Sequence, residues 1–212
     1  MWKINTHIEV SLSKISKIFY GLIIMKVFIL TYNENIEEAL RLEKELLENG
    51  FPNPIIINNL PRCDKIHIKP YKIIFYQFLF YILPQMNCDT IFFEDDTTIG
   101  ASFEKFRQEM NKGLISRLGY NKIPNQYPKP PNFIQGSHCV GFKKEVIEKF
   151  KNYMWKNISK PVHFDKFLCN FYRSELRNEE YYIPKINNEL CGYTKHFSLI
   201  SGNKVKKALE LP

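Results

Sequence analysis

Residues 90–98 read Thr-Ile-Phe-Phe-Glu-Asp-Asp-Thr-Thr (TIFFEDDTT), and the reading of the whole chain hangs on them. Residues 90–93 are β-branched or aromatic, the composition of a strand buried on both faces. Three carboxylates, Glu94, Asp95 and Asp96, follow at once. In a parallel α/β sheet, ligands collect beyond the carboxyl ends of the strands, so the acids emerge where such a sheet binds. Adjacent anions repel one another unless water solvates them or a hard divalent cation sits among them. Side chains alternate along a strand, so Glu94 and Asp96 share one side and Asp95 faces away. A solvated acidic turn is the competing reading of an isolated triplet, and the hydrophobic strand before it favours the metal.

Working outward, the pattern around this stretch is α/β. Upstream, residues 27–31 (VFILT) predict a strand, followed by a Tyr-Asn-Glu-Asn loop. A helix is expected over 36–49, with Ile36, Leu40, Leu42, Leu46 and Leu47 near one face. Gly50 stands where a left-handed helix cap is cheapest, and Pro52 and Pro54 fence a strand at 55–57. Residues 71–83 (YKIIFYQFLFYIL) are too apolar for a surface helix and too long for a strand, so a helix buried on most of its faces is expected. Downstream come a helix over 102–112, a strand over 114–118 and a proline-rich loop at 121–132 (NKIPNQYPKPPN). A bent strand or strand pair follows at 133–142 (FIQGSHCVGF), then helices over 144–155 and from about 163–165 to 173, and a short strand at 181–184.

With 212 residues, 44% of them hydrophobic, the chain can bury one sizeable core. Its net charge of +8 is spread rather than gathered into a run, which supports an anionic ligand only through the long-range field. Cys63, Cys88, Cys139, Cys169 and Cys191 form no C-x-x-C pair, which argues against zinc-finger or redox chemistry. Reduced, buried thiols and a cytoplasmic setting are expected. The apolar run over 18–30 is interrupted by Lys26 and falls short of the roughly 20 residues of a membrane span. It also lacks the small residues of a signal cleavage site. Residues 1–24 are therefore read as a basic amphipathic extension, with peripheral membrane contact as the alternative.

The order of these features resembles the GT-A glycosyltransferases, and among them the family 25-like group of lipopolysaccharide and collagen galactosyltransferases. The likeness runs over about residues 26–202 and is carried by the apolar segment 71–83, the strand 90–93, and Glu94-Asp95-Asp96 as a form of the DxD motif. Gly136-Ser137-His138-Cys139-Val140-Gly141-Phe142, the helix after it and the Pro161 to Leu168 segment complete it. The compactness is similar to capsid-glycosylating transferases of large algal viruses, and a viral origin would make the setting host cytoplasm. The long N-terminus and residues 121–132 depart from the family pattern.

The resemblance implies a single GT-A domain over 25–212, a Rossmann-like mixed central sheet flanked by helices. It also implies transfer of a hexose or deoxyhexose from a UDP- or GDP-linked sugar to a glycan or glycoprotein hydroxyl. Glu94 and Asp96 would hold Mn²⁺ or Mg²⁺ on the donor diphosphate, with Asp95 near the ribose or sugar. Thr31, Tyr32 and Asn33 would flank the nucleotide, Gly136 and Ser137 would line the nucleotide-sugar site, and Lys195 would balance diphosphate charge. His138 and His196 are candidate further ligands, with His196 preferred because some GT-A enzymes complete the metal site with a late histidine. Asp165 is the candidate general base of an inverting reaction, and helix capping is its structural alternative.

Two other classes compete. A nucleotidyltransferase or metal nuclease would also use clustered acids, but its glycine-rich phosphate loop or second carboxylate pair is not evident. A basic nucleic-acid-binding domain would interleave aromatics with Lys and Arg on one surface. Here the aromatics concentrate in apolar runs, so no nucleic-acid partner is expected.

Overall fold

The computed structural model describes residues 25–31, 35–58, 73–119, 138–159 and 163–182. Its elements follow the expected order: β1 (Lys26–Leu30), α1 (Ile36–Glu48), β2 (Ile55–Ile57), α2 (Ile73–Gln77), β3 (Thr90–Glu94), α3 (Phe103–Met110), β4 (Ile115–Gly119), β5 (Cys139–Phe142), α4 (Lys144–Lys156), α5 (Phe164–Glu175) and β6 (Tyr181–Tyr182). The six strands form one sheet in the order β2-β1-β3-β5-β4-β6. β1 runs parallel to β2 and β3, β5 runs antiparallel to both β3 and β4, and β4 runs parallel to β6. Among the described strands, β5 alone is reversed. Its first residues therefore meet the carboxyl ends of β1, β3 and β4 along one edge.

Period-two alternation divides the sheet residues between two cores. Phe28, Phe92, Val140, Phe142 and Ile115 face one side, where α2, α4 and α5 cover them with Phe75, Phe78, Phe150, Phe164 and Phe171. Val27, Ile29, Ile91, Phe93 and Cys139 face the other, under Leu42 and Leu46 of α1 and Phe106 and Met110 of α3. This is a three-layer α/β fold, the class the strand and helix pattern predicts. At Gly141 the layers touch: a Cβ there would lie 2.7 Å from Met110 Cγ.

Some local expectations are corrected. The buried face of α1 is Ala39, Leu42 and Leu46, whereas Leu40 and Leu47 are exposed. Residues 40 and 47 are separated by almost two full turns, so they form a stripe of their own facing away from the sheet. The apolar segment at 71–83 is not one regular helix, because α2 widens into a π-helical turn (Phe78–Ile82) and tightens into a 3₁₀ turn (Leu83–Gln85). It is buried through Phe75, Phe78, Leu79, Ile82 and Leu83, while Phe80 is half exposed. Gly50 does end α1: at φ 82° it donates to Leu47 O, and Phe51 donates to Leu46 O, a Schellman closure. Among the described residues no helix is long and apolar enough to cross a membrane.

Candidate active site

The acidic triplet leaves β3 at the edge where β5 begins. The β3–β5 ladder pairs Phe93 with Cys139, and one step further Glu94 N–H donates to His138 O at 2.9 Å. Glu94 and His138 therefore stand side by side, on the face that carries Phe92 and Val140. Their side chains meet, with His138 Nδ1 3.1 Å from Glu94 Oε2 and 3.8 Å from Asp96 Oδ1. One potential ligand atom from each of Glu94, Asp96 and His138 lies within 4.8 Å of the others.

The turn that returns Asp96 to this point is held from both sides. Thr97 N–H donates to Glu94 O at 3.1 Å, and Thr97 Oγ1 donates to His138 O at 3.0 Å. From α1, Arg41 Nη2 reaches the carbonyls of Thr97 (2.9 Å) and Asp95 (3.4 Å), while Glu45 accepts from Ile99 N–H. Arg41 is itself fixed by Glu38 and Glu45. The neighbouring helix α1 thus helps to fix the loop conformation.

Asp95 has a different environment, as strand parity predicts. Its N–H donates to Leu30 O, and its Oδ2 accepts from Thr31 Oγ1 at 2.7 Å, with Asn35 as a further donor. Thr31 O in turn accepts from buried Gln77 Nε2 at 2.6 Å. Asp95 therefore ties the end of β1, where Thr31 begins the expected nucleotide loop, to the end of β3.

Burial of so much negative charge shifts the titrations. Desolvation pushes Asp96 up to about 7, the charges of Glu94 and Asp95 add to the rise, and His138 opposes it. Desolvation pushes Asp95 up to about 6, with Glu94 in the same direction and the hydrogen bonds from Thr31 and Asn35 against it. Burial alone would lower His138, but its hydrogen bond to Glu94 and the charges of Glu94, Asp96 and Asp165 raise it instead. Protonation relieves the repulsion among these neighbouring carboxylates, and a bound cation would do the same. Two carboxylates are donors for hard Mg²⁺ or Mn²⁺, and a buried imidazole adds a nitrogen that suits a transition dication such as Mn²⁺ better than Mg²⁺. The donor set fits a metal.

Asp165 enters from α5. Phe164 packs against Phe92 and Phe78 with ring centroids at 5.3 and 4.7 Å, so the first turn of α5 lies over the strand that ends in Glu94. The charge of Asp165 reaches His138. His163 occupies the cap position, and Asp165 sits in the first helical turn, where an anion is favoured by the helix dipole. The capping alternative thus gives way to another structural contact, with Arg117 of β4.

Arg117 is the residue the sequence reading passed over. Its side chain is wholly buried, with Nη2 3.4 Å from Asp165 O and 3.5 Å from Asp165 Oδ1, beside Tyr172 and Cys169 of the same helix. The available signal was a lone arginine inside the strand 114–118. Gln77, a single amide in an apolar run, is the same kind of signal. Of the other expected site residues, Tyr32, Asn33, Gly136, Ser137, Lys195 and His196 lie outside the described residues. Within them, it is His138 that the fold brings to Glu94 and Asp96.

No model of a known protein family matches this sequence, and no curated protein does. Solved structures similar to the chain include a glycosyltransferase involved in glycosylation of the major capsid of PBCV-1, at 13% identity over 75% of this chain and 81% of that one, with a TM-score of 0.46. The glycosyltransferase GlyE of Streptococcus pneumoniae TIGR4 is 8% identical over 76% of this chain and 45% of its own, with a TM-score of 0.45. The bifunctional glycosyltransferase WbbM is 9% identical over 76% and 38%, with a TM-score of 0.42. The chain spans less than half the length of the last two.

Proposed function

We propose that this chain is a divalent-metal-dependent, inverting glycosyltransferase that moves a hexose or deoxyhexose from a UDP- or GDP-linked donor to a hydroxyl of a glycan or glycoprotein. The observation that carries the proposal is the convergence of Glu94, Asp96 and His138 at the carboxyl edge of a mixed α/β sheet, with Asp165 on the adjoining helix. Ligands of such sheets gather at this edge.

In this reading Glu94, Asp96 and His138 hold Mn²⁺, with Mg²⁺ as the alternative ion. When bound, the ion neutralises charge developing on the departing nucleotide diphosphate. Asp95 and Thr31 brace the floor of the donor site by joining β1 to β3. The acceptor oxygen forms its bond to the anomeric carbon as the bond from that carbon to the diphosphate breaks, and Asp165 takes the acceptor's proton. Thr31 directly follows β1 and its hydroxyl donates to Asp95, which supports placing the nucleotide beside the end of β1.

Calorimetric titration with UDP, GDP and other nucleotide diphosphates, with and without Mn²⁺, tests the proposal. Metal-dependent binding of one nucleotide by the wild type, lost in Asp96→Ala, is expected. Salt-sensitive binding of oligonucleotides with no response to any nucleotide diphosphate would sink it.

A further inference from the structure

A fully buried arginine needs a reason, because desolvating a guanidinium costs several kcal/mol unless good partners offset it. Arg117 pairs with Val140 across the β4–β5 ladder, and Val140 also pairs with Phe92. Directly paired residues project to the same face, so Arg117 lies on the side of the sheet that carries Glu94 and His138. The ladder shifts register between Arg117 and Gly119, a bulge of the kind that re-aims a side chain. The guanidinium meets Asp165 twice, at its main-chain oxygen and at Oδ1, and interacts with α5 again at Tyr172. Tyr172 is fixed in turn, its ring stacked on Tyr181 of β6 at 5.0 Å. One strand thus holds the start of the helix and the carboxylate on it.

We propose that Arg117 is a positioning residue: it fixes the Asp165 carboxylate at the edge of the sheet that carries Glu94, Asp96 and His138, and so sets the rate of transfer without contacting the donor. The inference rests on the glycosyltransferase reading and assigns a role to a residue which that reading does not use. Both contacts come from Nη2, whose two N–H groups lie in the fixed plane of the guanidinium and so set the direction of each oxygen. A lysine ammonium keeps the charge but is a point donor on a flexible stem.

The test measures turnover of the cognate sugar nucleotide and, separately, Mn²⁺-dependent nucleotide affinity, for Arg117→Lys, Arg117→Gln, Asp165→Asn and the two double variants. Arg117→Lys should lower kcat by about tenfold or more, as expected for a misplaced base, while nucleotide Kd stays within about threefold. In the Asp165→Asn background neither Arg117 substitution should lower kcat further, because residues acting as a unit are not additive. The double variant Arg117→Gln, Asp165→Asn leaves no charge at this pair, which keeps the comparison open if a single variant folds poorly. Wild-type turnover in Arg117→Lys, a loss that adds fully to that of Asp165→Asn, or an equal loss in nucleotide affinity would overturn the assignment. Failure of the wild type to turn over any sugar nucleotide with Mn²⁺ would instead overturn the glycosyltransferase reading on which it rests.

Discussion

The pH dependence of metal binding is the sharpest consequence of the site's electrostatics. Asp96, pushed up to about 7, and Asp95, pushed up to about 6, keep protons in the folded protein that the unfolded chain releases around 3.8. The metal-free protein therefore loses stability from these groups as pH rises from about 4 through about 7. His138 is also raised, so its contribution is fully present below its ordinary 6.5 and is lost as pH climbs through its higher folded value. A dication reverses the trend by replacing the protons. If only the Asp96 proton must leave, affinity falls about tenfold per unit below pH 7, or roughly 100-fold and about 2.7 kcal/mol between about pH 8 and about pH 5. The imidazole proton steepens the fall. For a chain of this size that loss removes about 5–10 °C of Mn²⁺-induced thermal stabilisation. Calorimetry in two buffers of different ionisation enthalpy counts the released protons, and thermal melts with and without Mn²⁺ follow the stabilisation. A Mn²⁺ affinity that does not change with pH, or undiminished affinity in Asp96→Asn, would refute the reasoning.

Three further outcomes are expected. Asp165→Asn should lower sugar transfer by about 10²- to 10⁴-fold, the usual worth of a general base, with nucleotide affinity unchanged in calorimetry; unchanged transfer would remove it from that role. Gly141→Ala should destabilise the fold by about 1–3 kcal/mol through overpacking against Met110, seen as a lower denaturation midpoint, and Met110→Ala in the same chain should recover part of the loss. Arg41→Met removes the guanidinium that holds the Asp95 and Thr97 carbonyls. Mn²⁺ affinity should then weaken by about tenfold while the melting temperature falls only a few degrees, as for other residues that orient ligands from behind. An unchanged affinity would show that the turn holds its own shape.

That Asp95 points away from Glu94 and Asp96 was legible because the pattern is local. Alternation along the sequence predicts the separation of Glu94 and Asp96 from Asp95, and in the structure a turn after β3 brings the first two to His138 and the third to Thr31. The π-helical widening after Gln77 was not legible. Its period differs too little from that of an α-helix for an apolar run to reveal it.

By itself the sequence determined the order of strands and helices, the end of α1 at Gly50, and the acidic triplet at the carboxyl end of a buried strand. All of these follow from periodicity and turn chemistry within some ten residues. Only the tertiary structure decided that His138 joins Glu94 across 44 positions and that Arg117 meets Asp165 across 48. The physical reason is the reversed strand β5. Inserted between β3 and β4, it brings its first residue to the edge where its neighbours end, and no local pattern encodes which strand lies beside which.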